Sequence, residues 1–240
     1  MTAQRGSSWP NLDYEPVNLL GTNLGIHDAG QIAEMLKLTD HYGINAISLG
    51  TTIAYVLEYN ERHPVSQICG GVTFGQYEKI CILVEQTGRG ELPEVGRGVR
   101  RLSEQTGEPG YAMQVKGLEL PAYLPDLNPG YPWAIAGGRM SMGTYLLLAR
   151  EGKTDLNYWV DAITGKGLLM TGYDMIGLCK FIGVGIGHRL VGEAVREATG
   201  LEISGEEMEA AVRRAFLLGL ALERKQGYDK GEYTLPSRVF

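Results

Sequence analysis

Two short segments of the sequence repeat one arrangement of residues that can bind a polar ligand. The first is "DHYGIN", which runs from Asp40 to Asn45, and the second is "DMIGLC", which runs from Asp174 to Cys179. Each begins with aspartate and continues after two residues with glycine, an aliphatic residue and a polar or thiol residue. A fixed carboxylate accepts strong hydrogen bonds from a ligand rich in N–H groups, and glycine lets the backbone approach a ligand closely. Such a pair would suit a ligand with two similar halves.

A purely structural interpretation of both segments is also open. Asp40 would then be an exposed residue in the last turn of a helix that Gly43 ends. The shared layout of two short patterns can arise by chance. Cys179 is then either a thiol in an apolar core or the remaining part of a metal or cofactor site, and these residues alone do not decide between the two.

Composition excludes several classes of function. The 22 basic residues are outnumbered by 28 acidic ones, giving a net charge of -6, and they are mostly scattered, which argues against nucleic acid as the main partner. No apolar run reaches the roughly 18 residues of a membrane span, and the polar start lacks a signal sequence. The cysteines, Cys69, Cys81 and Cys179, are odd in number and far apart, so we expect a cytoplasmic protein without disulfides. None forms a Cys-x-x-Cys pair, and three cysteines cannot by themselves assemble a four-thiolate site. We interpret Cys69 and Cys81 as buried thiols.

Helical periodicity and capping signals predict a mainly α fold. Asp28 is placed to cap a helix that ends at Gly43, and Ser204 with Glu207 forms a capping box. The apolar segment that contains "DMIGLC" is predicted as a buried helix. Further helices are predicted at Ala46–Tyr59, Tyr77–Gln86, Leu92–Glu104 and Leu190–Ala198.

The chain divides at a stretch rich in proline and glycine. Residues 116–139 contain four prolines and predict irregular connecting structure, long enough to suggest a functional role. We expect an extended arm at residues 1–20, a helical lobe at 21–115 with the first segment, and a helical lobe at 140–240 with the second. The predicted fold class is therefore mainly α with two helical lobes.

Four stretches of the chain, in order and spanning nearly its whole length, resemble the C-terminal half of the tungsten-containing aldehyde ferredoxin oxidoreductase family, domains 2 and 3, which includes class II benzoyl-CoA reductase-like members. The most specific is "VKGLELPAY", which follows "GRGELPEVGRGVRRLSEQTG". The others are "LGTNLGIHD" with "DHYGINAIS", then "DMIGLCKF", and finally "ATGLEISGEEM" with "YTLPSR".

The resemblance implies a tungsten, or sometimes molybdenum, atom held by two pterin molecules. In the family, two Asp-x-x-Gly-Leu-Asp/Cys motifs hold the pterins, and the cysteine that closes the second motif also binds a [4Fe-4S] cluster. One pterin would meet Asp40, Gly43, Ile44 and Asn45, and the other Asp174, Gly177 and Leu178. Cys179 would be an iron ligand.

Several features of the sequence depart from the family pattern. The other three cluster cysteines and an N-terminal β domain would lie before the start of this chain, so the resemblance implies that a partner chain supplies them. Asn45 replaces an acidic residue, and Gln76 stands where aspartate is usual. The segment "GGRMSM" lacks the histidine that many members carry near the metal. Arg139 within it could neutralise a carboxylate or a pterin phosphate, although a structural role is the plainer interpretation.

The leading hypothesis is a C-terminal subunit of an aldehyde ferredoxin oxidoreductase-like enzyme. It would interconvert aldehyde and carboxylic acid and pass electrons through the cluster to a ferredoxin-like carrier. The alternative is a non-catalytic homologue that binds a pterin cofactor or serves as an interaction module. Retention of Asp174 and Cys179 favours the enzyme, while Asn45 and the missing histidine favour the alternative. An exposed apolar face is expected if a partner covers this chain.

Overall fold

The protein consists of two compact units in a computed structural model that describes residues 12–122, 130–135, 155–179 and 186–240. Unit 1 contains the described residues up to 122 together with Pro236–Arg238. Unit 2 contains those from 130 to Leu235. The described parts of the two units are separated between residues 122 and 130. Within the described ranges, no helix has both the length and the apolar character needed to cross a membrane.

Unit 1 is built from helices and one short hairpin around a single apolar core. In the hairpin, two strands pair antiparallel with Gln114 opposite Glu119. The core is formed mainly by α2, α3, α4 and α6. The elements are α1 (Tyr14–Leu20), α2 (Ala29–Tyr42), α3 (Ala46–Arg62), α4 (Tyr77–Gly88), α5 (Pro93–Gly96), α6 (Val99–Thr106), β1 (Gln114–Val115) and β2 (Leu118–Glu119), with 3-10 turns at Thr22–Leu24, Cys69–Gly71 and Pro109–Tyr111.

Unit 2 is helical in all its described elements. Its core joins the helix that precedes the second segment to the two long helices that follow it, and Tyr173, Val212 and Phe216 are among the buried residues. A π-helical turn, Ile163–Gly167, continues one helix into the next. The elements are α7 (Gly130–Trp133), α8 (Leu156–Ala162), α9 (Leu168–Met175), α10 (His188–Thr199) and α11 (Gly205–Lys225), with a 3-10 turn at Lys230–Glu232.

Local capping chemistry determines the predicted helix starts. The Asp28 carboxylate accepts a hydrogen bond from the Gln31 N–H at 2.9 Å and starts α2. At the start of α11, the Ser204 hydroxyl accepts from the Glu207 N–H, and the Glu207 carboxylate accepts from the Ser204 N–H. Both predicted caps are confirmed. The prediction of a mainly α fold is confirmed as well.

The predicted extended arm at residues 1–20 is wrong in its last part. Asp13 caps a helix there, and α1 runs to Leu20. Leu19 and Leu20 are buried, and α1 crosses α3 where Gly50 faces the main chain of Leu19. A helix of seven residues is not stable by itself, so this tertiary packing is what stabilises α1. Residues 1–11 lie outside the described ranges.

Two helix predictions also need correction. The helix expected at Leu92–Glu104 is two helices, because Gly98 has φ +86° and interrupts it between α5 and α6. The segment with "DMIGLC" is not a continuous helix: α9 ends at Met175 and Gly177 has φ +70°. The connection predicted as irregular contains β2 and α7 among its described residues.

Candidate functional site

The first segment forms the C-terminal end of α2. Gly43 adopts the left-handed conformation, with φ +65° and ψ +33°. Its N–H donates to the Asp40 carbonyl at 3.2 Å, and the Ile44 N–H donates to the Thr39 carbonyl at 2.9 Å. This pair of bonds is the Schellman motif, which satisfies the last carbonyl groups of a helix. Asp40 is exposed in the last turn.

The second segment forms the same structure at the end of α9. Gly177 has φ +70°. Its N–H donates to the Asp174 carbonyl at 3.2 Å, and the Leu178 N–H donates to the Tyr173 carbonyl at 2.9 Å. The bonds, the distances and the exposed aspartate match those of the first segment. The sequence repeat is therefore a structural repeat, with one copy in each unit.

Both motifs leave the same groups open to a ligand. Asp40, Gly43, Asp174 and Gly177 are exposed. A Cβ atom placed on either glycine would meet nothing within 4 Å, so the turn backbone is open on that side. The aliphatic residues behave differently, because Ile44 and Leu178 are half-buried and pack against the core of their own unit.

The residue that closes each motif has a different environment in the two units. The Asn45 side chain accepts a hydrogen bond from the Ser48 N–H at 3.0 Å and caps α3. An aspartate would cap the helix equally well, so asparagine here retains that structural role. Cys179 is an exposed free thiol and caps none of the described helices.

Cys179 differs from the other two cysteines in its fitness as a metal ligand. Cys69 and Cys81 are half-buried, and burial raises the pKa of Cys69 to about 11 and also raises that of Cys81. Since the thiolate is the form that binds metal, these two are poor candidates. Over the residues that the structure covers, no group of three or more histidine, cysteine, aspartate or glutamate side chains is arranged to hold a metal ion. Cys179 is the exposed one of the three thiols, and its role as an iron ligand stays a prediction.

The equivalence of the two turns can be tested by substitution. Gly43→Ala and Gly177→Ala should each lower the free energy of unfolding by about 1 kcal/mol, because a Cβ atom disfavours the left-handed conformation. No neighbouring atom would clash, so the conformation alone sets the loss. Asparagine at the same positions should be better tolerated. Urea denaturation measures all four variants, and unequal losses at the two alanine positions would contradict the structural repeat.

Comparison with known proteins assigns the chain to a family. A family model described as "Aldehyde ferredoxin oxidoreductase, domains 2 & 3" matches residues 2–240. The chain belongs to this aldehyde ferredoxin oxidoreductase family. It is 29% identical to the tungsten-containing aldehyde ferredoxin oxidoreductase of Pyrococcus furiosus over 94% of this chain and 40% of that protein. It is 30% identical to the Pyrococcus abyssi protein of the same name, over 95% and 41%.

A relative with a different name is also similar. The aliphatic sulfonate oxidoreductase, WOR-like subunit, of Pyrococcus furiosus is 28% identical over 50% of this chain and 21% of that protein. The chain thus spans about 40% of the tungsten-containing relatives that it matches over most of its own length. The resemblance inferred from the four stretches is confirmed for the family and for its domains 2 and 3.

The family stretch "VKGLELPAY" has a structural role in unit 1. Glu119 is buried, and its carboxylate accepts a hydrogen bond from the Val99 N–H at 3.0 Å, at the start of α6. A Cβ atom on Gly98 would lie 2.6 Å from the same carboxylate oxygen. Glycine suits position 98, because φ is +86° there and a side chain would meet this carboxylate.

Two further features bear on the sequence predictions. Glu15, which lies in the predicted extended arm, is buried in the first turn of α1. Sequence patterns gave no signal for it, although a buried carboxylate is unusual. Arg139 and the segment "GGRMSM" lie outside the described residues. Gln76 starts α4 without a side-chain cap, and its amide oxygen accepts from the Thr73 N–H at 3.3 Å instead.

The described surface is not fully polar. Three leucines of α11, Leu217, Leu218 and Leu222, are each more than half exposed. They lie within two turns of one helix and form a local apolar patch. That a partner chain covers such a face stays a prediction.

Proposed function

We propose that this chain is the pterin-holding part of a tungsten, or molybdenum, enzyme of the aldehyde ferredoxin oxidoreductase type. The observation that carries the proposal is the repeated Schellman motif, which presents Asp40 and Asp174 in the same way at two helix ends. The chemistry of these groups fits a bis-pterin cofactor. Each exposed carboxylate can accept a pair of hydrogen bonds from the N–H edge of a flat ring, and each open glycine turn leaves room for the ring to approach.

Roles follow for the seven residues predicted to bind the cofactor. Asp40 and Asp174 would accept the hydrogen bonds, while Gly43 and Gly177 would provide the close backbone approach. The other three would set the turn in place: Ile44 and Leu178 anchor it in the core, and Asn45 caps the next helix. Exposure separates only Ile44 and Leu178, which are half-buried, from the other five, which are exposed. Asn45 is exposed too, but its side-chain oxygen accepts from the Ser48 N–H.

The reaction would be the two-electron interconversion of an aldehyde and its carboxylic acid. Oxidation takes up one water and releases two electrons and two protons, and the electrons would leave through a [4Fe-4S] cluster to a ferredoxin-like carrier. The bound cofactor supplies the redox chemistry, while this chain binds and orients it. Cys179 would provide one iron ligand. The name of the sulfonate relative shows that another member acts on a different substrate class, so the aldehyde assignment rests on the tungsten-containing relatives.

A partner chain would supply the remaining ligands. Cys179 is one thiolate, and a cluster of this type is usually held by four. The partner would carry the other three cysteines and the β domain. The sulfonate relative is itself named a subunit, which is a precedent in the family for work in a complex. Three free thiols in one chain support a cytoplasmic location.

Metal analysis of the complex tests the proposal. We expect the tagged chain, purified anaerobically from its native cells, to retain tungsten or molybdenum together with iron. Cys179→Ser should lower the iron content at least about tenfold, since even indirect partners of a metal change affinity by that much. Cys69→Ser is the matched control and should keep its iron, because that thiol is half-buried. Wild-type complex that contains neither tungsten, molybdenum nor iron would rule out the enzyme.

The non-catalytic alternative rests on the histidine that "GGRMSM" lacks. Asn45 no longer favours it, because the asparagine performs the helix cap that an aspartate would perform. A chain that binds pterin for delivery would purify with pterin but show no turnover of aldehydes with a ferredoxin or viologen acceptor. Turnover by the metal-containing complex would exclude this alternative.

A further inference from the structure

Tyr173 lies directly before the second motif and is completely buried. Its exposed fraction is 0%, and it is among the largest fully buried side chains of the described residues. Its backbone carbonyl accepts the hydrogen bond from the Leu178 N–H that closes the Schellman turn. The next residue along the chain is Asp174. The main chain of Tyr173 therefore fixes one end of the turn that carries Asp174 and Cys179.

The side chain of Tyr173 reaches a second point of the chain. Its hydroxyl donates a hydrogen bond to the Ile186 carbonyl at 2.5 Å. Ile186 directly precedes Gly187, the N-cap residue of α10, and it comes seven residues after Cys179. Ile186 and Leu178 are both half-buried against the apolar cluster that contains Tyr173. Tyr173 thus bonds both to Leu178, the residue before Cys179, and to Ile186, the residue before the N-cap of α10.

Unit 1 holds its equivalent turn by other means. Thr39 occupies the position of Tyr173, and its hydroxyl donates to the Leu36 carbonyl of its own helix at 2.8 Å. A hydrogen bond to a more distant residue is not needed there, because Asn45 closes the motif and also caps α3, which starts at the following residue. In unit 2, α10 begins only at His188. Tyr173 instead bonds to Leu178 within the turn and to Ile186 beyond it.

We infer that Tyr173 is a positioning residue for the Cys179 thiol. By holding Leu178 through its carbonyl and Ile186 through its hydroxyl, it limits the directions in which the thiol can point relative to Asp174. That the thiol then binds iron rests on the proposed function, whereas the restraint itself does not. Burial raises the pKa of Tyr173, so its hydroxyl remains protonated and able to donate at physiological pH.

A spin label on Cys179 measures this restraint. The label is attached in a Cys69→Ser/Cys81→Ser background, and its mobility is compared by electron paramagnetic resonance with and without Tyr173→Phe. Phenylalanine keeps the ring in the core and removes only the hydroxyl. We expect the rotational correlation time of the label to fall about twofold, because the loss of one tether raises local motion.

Tyr233→Phe is the matched control in the same unit. It removes the hydroxyl that donates to the Glu223 carboxylate at 2.7 Å. Both substitutions should lower the melting temperature by a few degrees, but only Tyr173→Phe should change the label at Cys179. Equal label spectra for the two variants would overturn the inference.

A measurement on the unsubstituted protein covers the case in which Tyr173→Phe fails to fold. A buried phenolic proton that is hydrogen-bonded exchanges slowly, so proton NMR should show a resonance for the Tyr173 hydroxyl with a cross-peak to Ile186. Absence of a protected hydroxyl proton would contradict the restraint. Neither readout requires metal, so both remain informative if the complex proves to contain no tungsten, molybdenum or iron.

Discussion

Asn60→Ala is expected to lower the free energy of unfolding of unit 1 by about 3 kcal/mol. The Asn60 side chain is fully buried. Its amide group donates to the carbonyls of Ile68 and Val72 at 3.1 and 2.8 Å, and its oxygen accepts from the Ile68 N–H at 2.8 Å. Alanine would leave three backbone groups without these partners, and each buried group without a partner costs about 1 kcal/mol or more. Urea denaturation followed by circular dichroism measures the loss.

Gln67→Ala is the control for this prediction. The exposed Gln67 amide donates to the Asn60 backbone carbonyl at 3.3 Å, so its removal should change stability by less than about 0.5 kcal/mol. The loop that Asn60 holds contains three consecutive residues with positive φ, namely Cys69, Gly70 and Gly71. Cysteine rarely adopts this conformation. If Asn60→Ala were as mild as Gln67→Ala, these contacts would not be what holds the loop.

Gly50→Ala should destabilise unit 1 by about 2–4 kcal/mol. A Cβ atom at position 50 would lie 2.5 Å from the Leu19 carbonyl oxygen and 2.7 Å from its carbon. Alanine is favoured over glycine inside a helix by about 1 kcal/mol. The clash outweighs this helix preference, because the backbone atoms of α1 cannot rotate away as a side chain does. The whole of α1 would have to shift on α3.

Gly96→Ala provides the comparison for Gly50→Ala. Its added Cβ atom would meet only the Thr87 side chain, at an ordinary contact distance of 3.8 Å. We expect stability within about 0.5 kcal/mol of the wild type. Thermal unfolding of both variants shows whether the loss at position 50 comes from the clash or whether alanine is destabilising at any helical glycine. A Gly50→Ala protein as stable as the wild type would show that α1 does not pack on α3 as closely as the 2.5 Å contact implies.

Elements that are specified by neighbouring residues were predictable from the sequence. Asp28 and Ser204 cap helices through groups three residues away, and Gly43 ends α2 through bonds to the turn before it. These interactions are read directly from local patterns. The two copies of the Asp–Gly motif were predictable for the same reason, since each depends on six consecutive residues.

Elements that depend on distant contacts were not predictable. α1 forms because it packs on α3 at Gly50, and the break between α5 and α6 occurs at a glycine that makes room for Glu119. The hydrophobic periodicity of α1, or of α5 and α6, does not indicate that α3 or Glu119 will pack there. The same holds for the candidate site, because the bond from Tyr173 to Ile186 spans 13 residues. The capping role of Asn45, by contrast, was open to prediction from the helix start at Ala46.

The repeated motif has an electrostatic consequence. The carbonyl end of a helix carries a partial negative charge, yet Asp40 and Asp174 lie in the last turn of α2 and α9. Each carboxylate therefore lies beside the partial charge of like sign at its own helix end. Under the proposed function, a ligand that brings N–H groups to these ends would reduce the repulsion between each carboxylate and its helix end. Under the proposed function, the charges at the ends of α2 and α9 thus favour a ligand whose N–H groups face the chain over one that presents only acceptors.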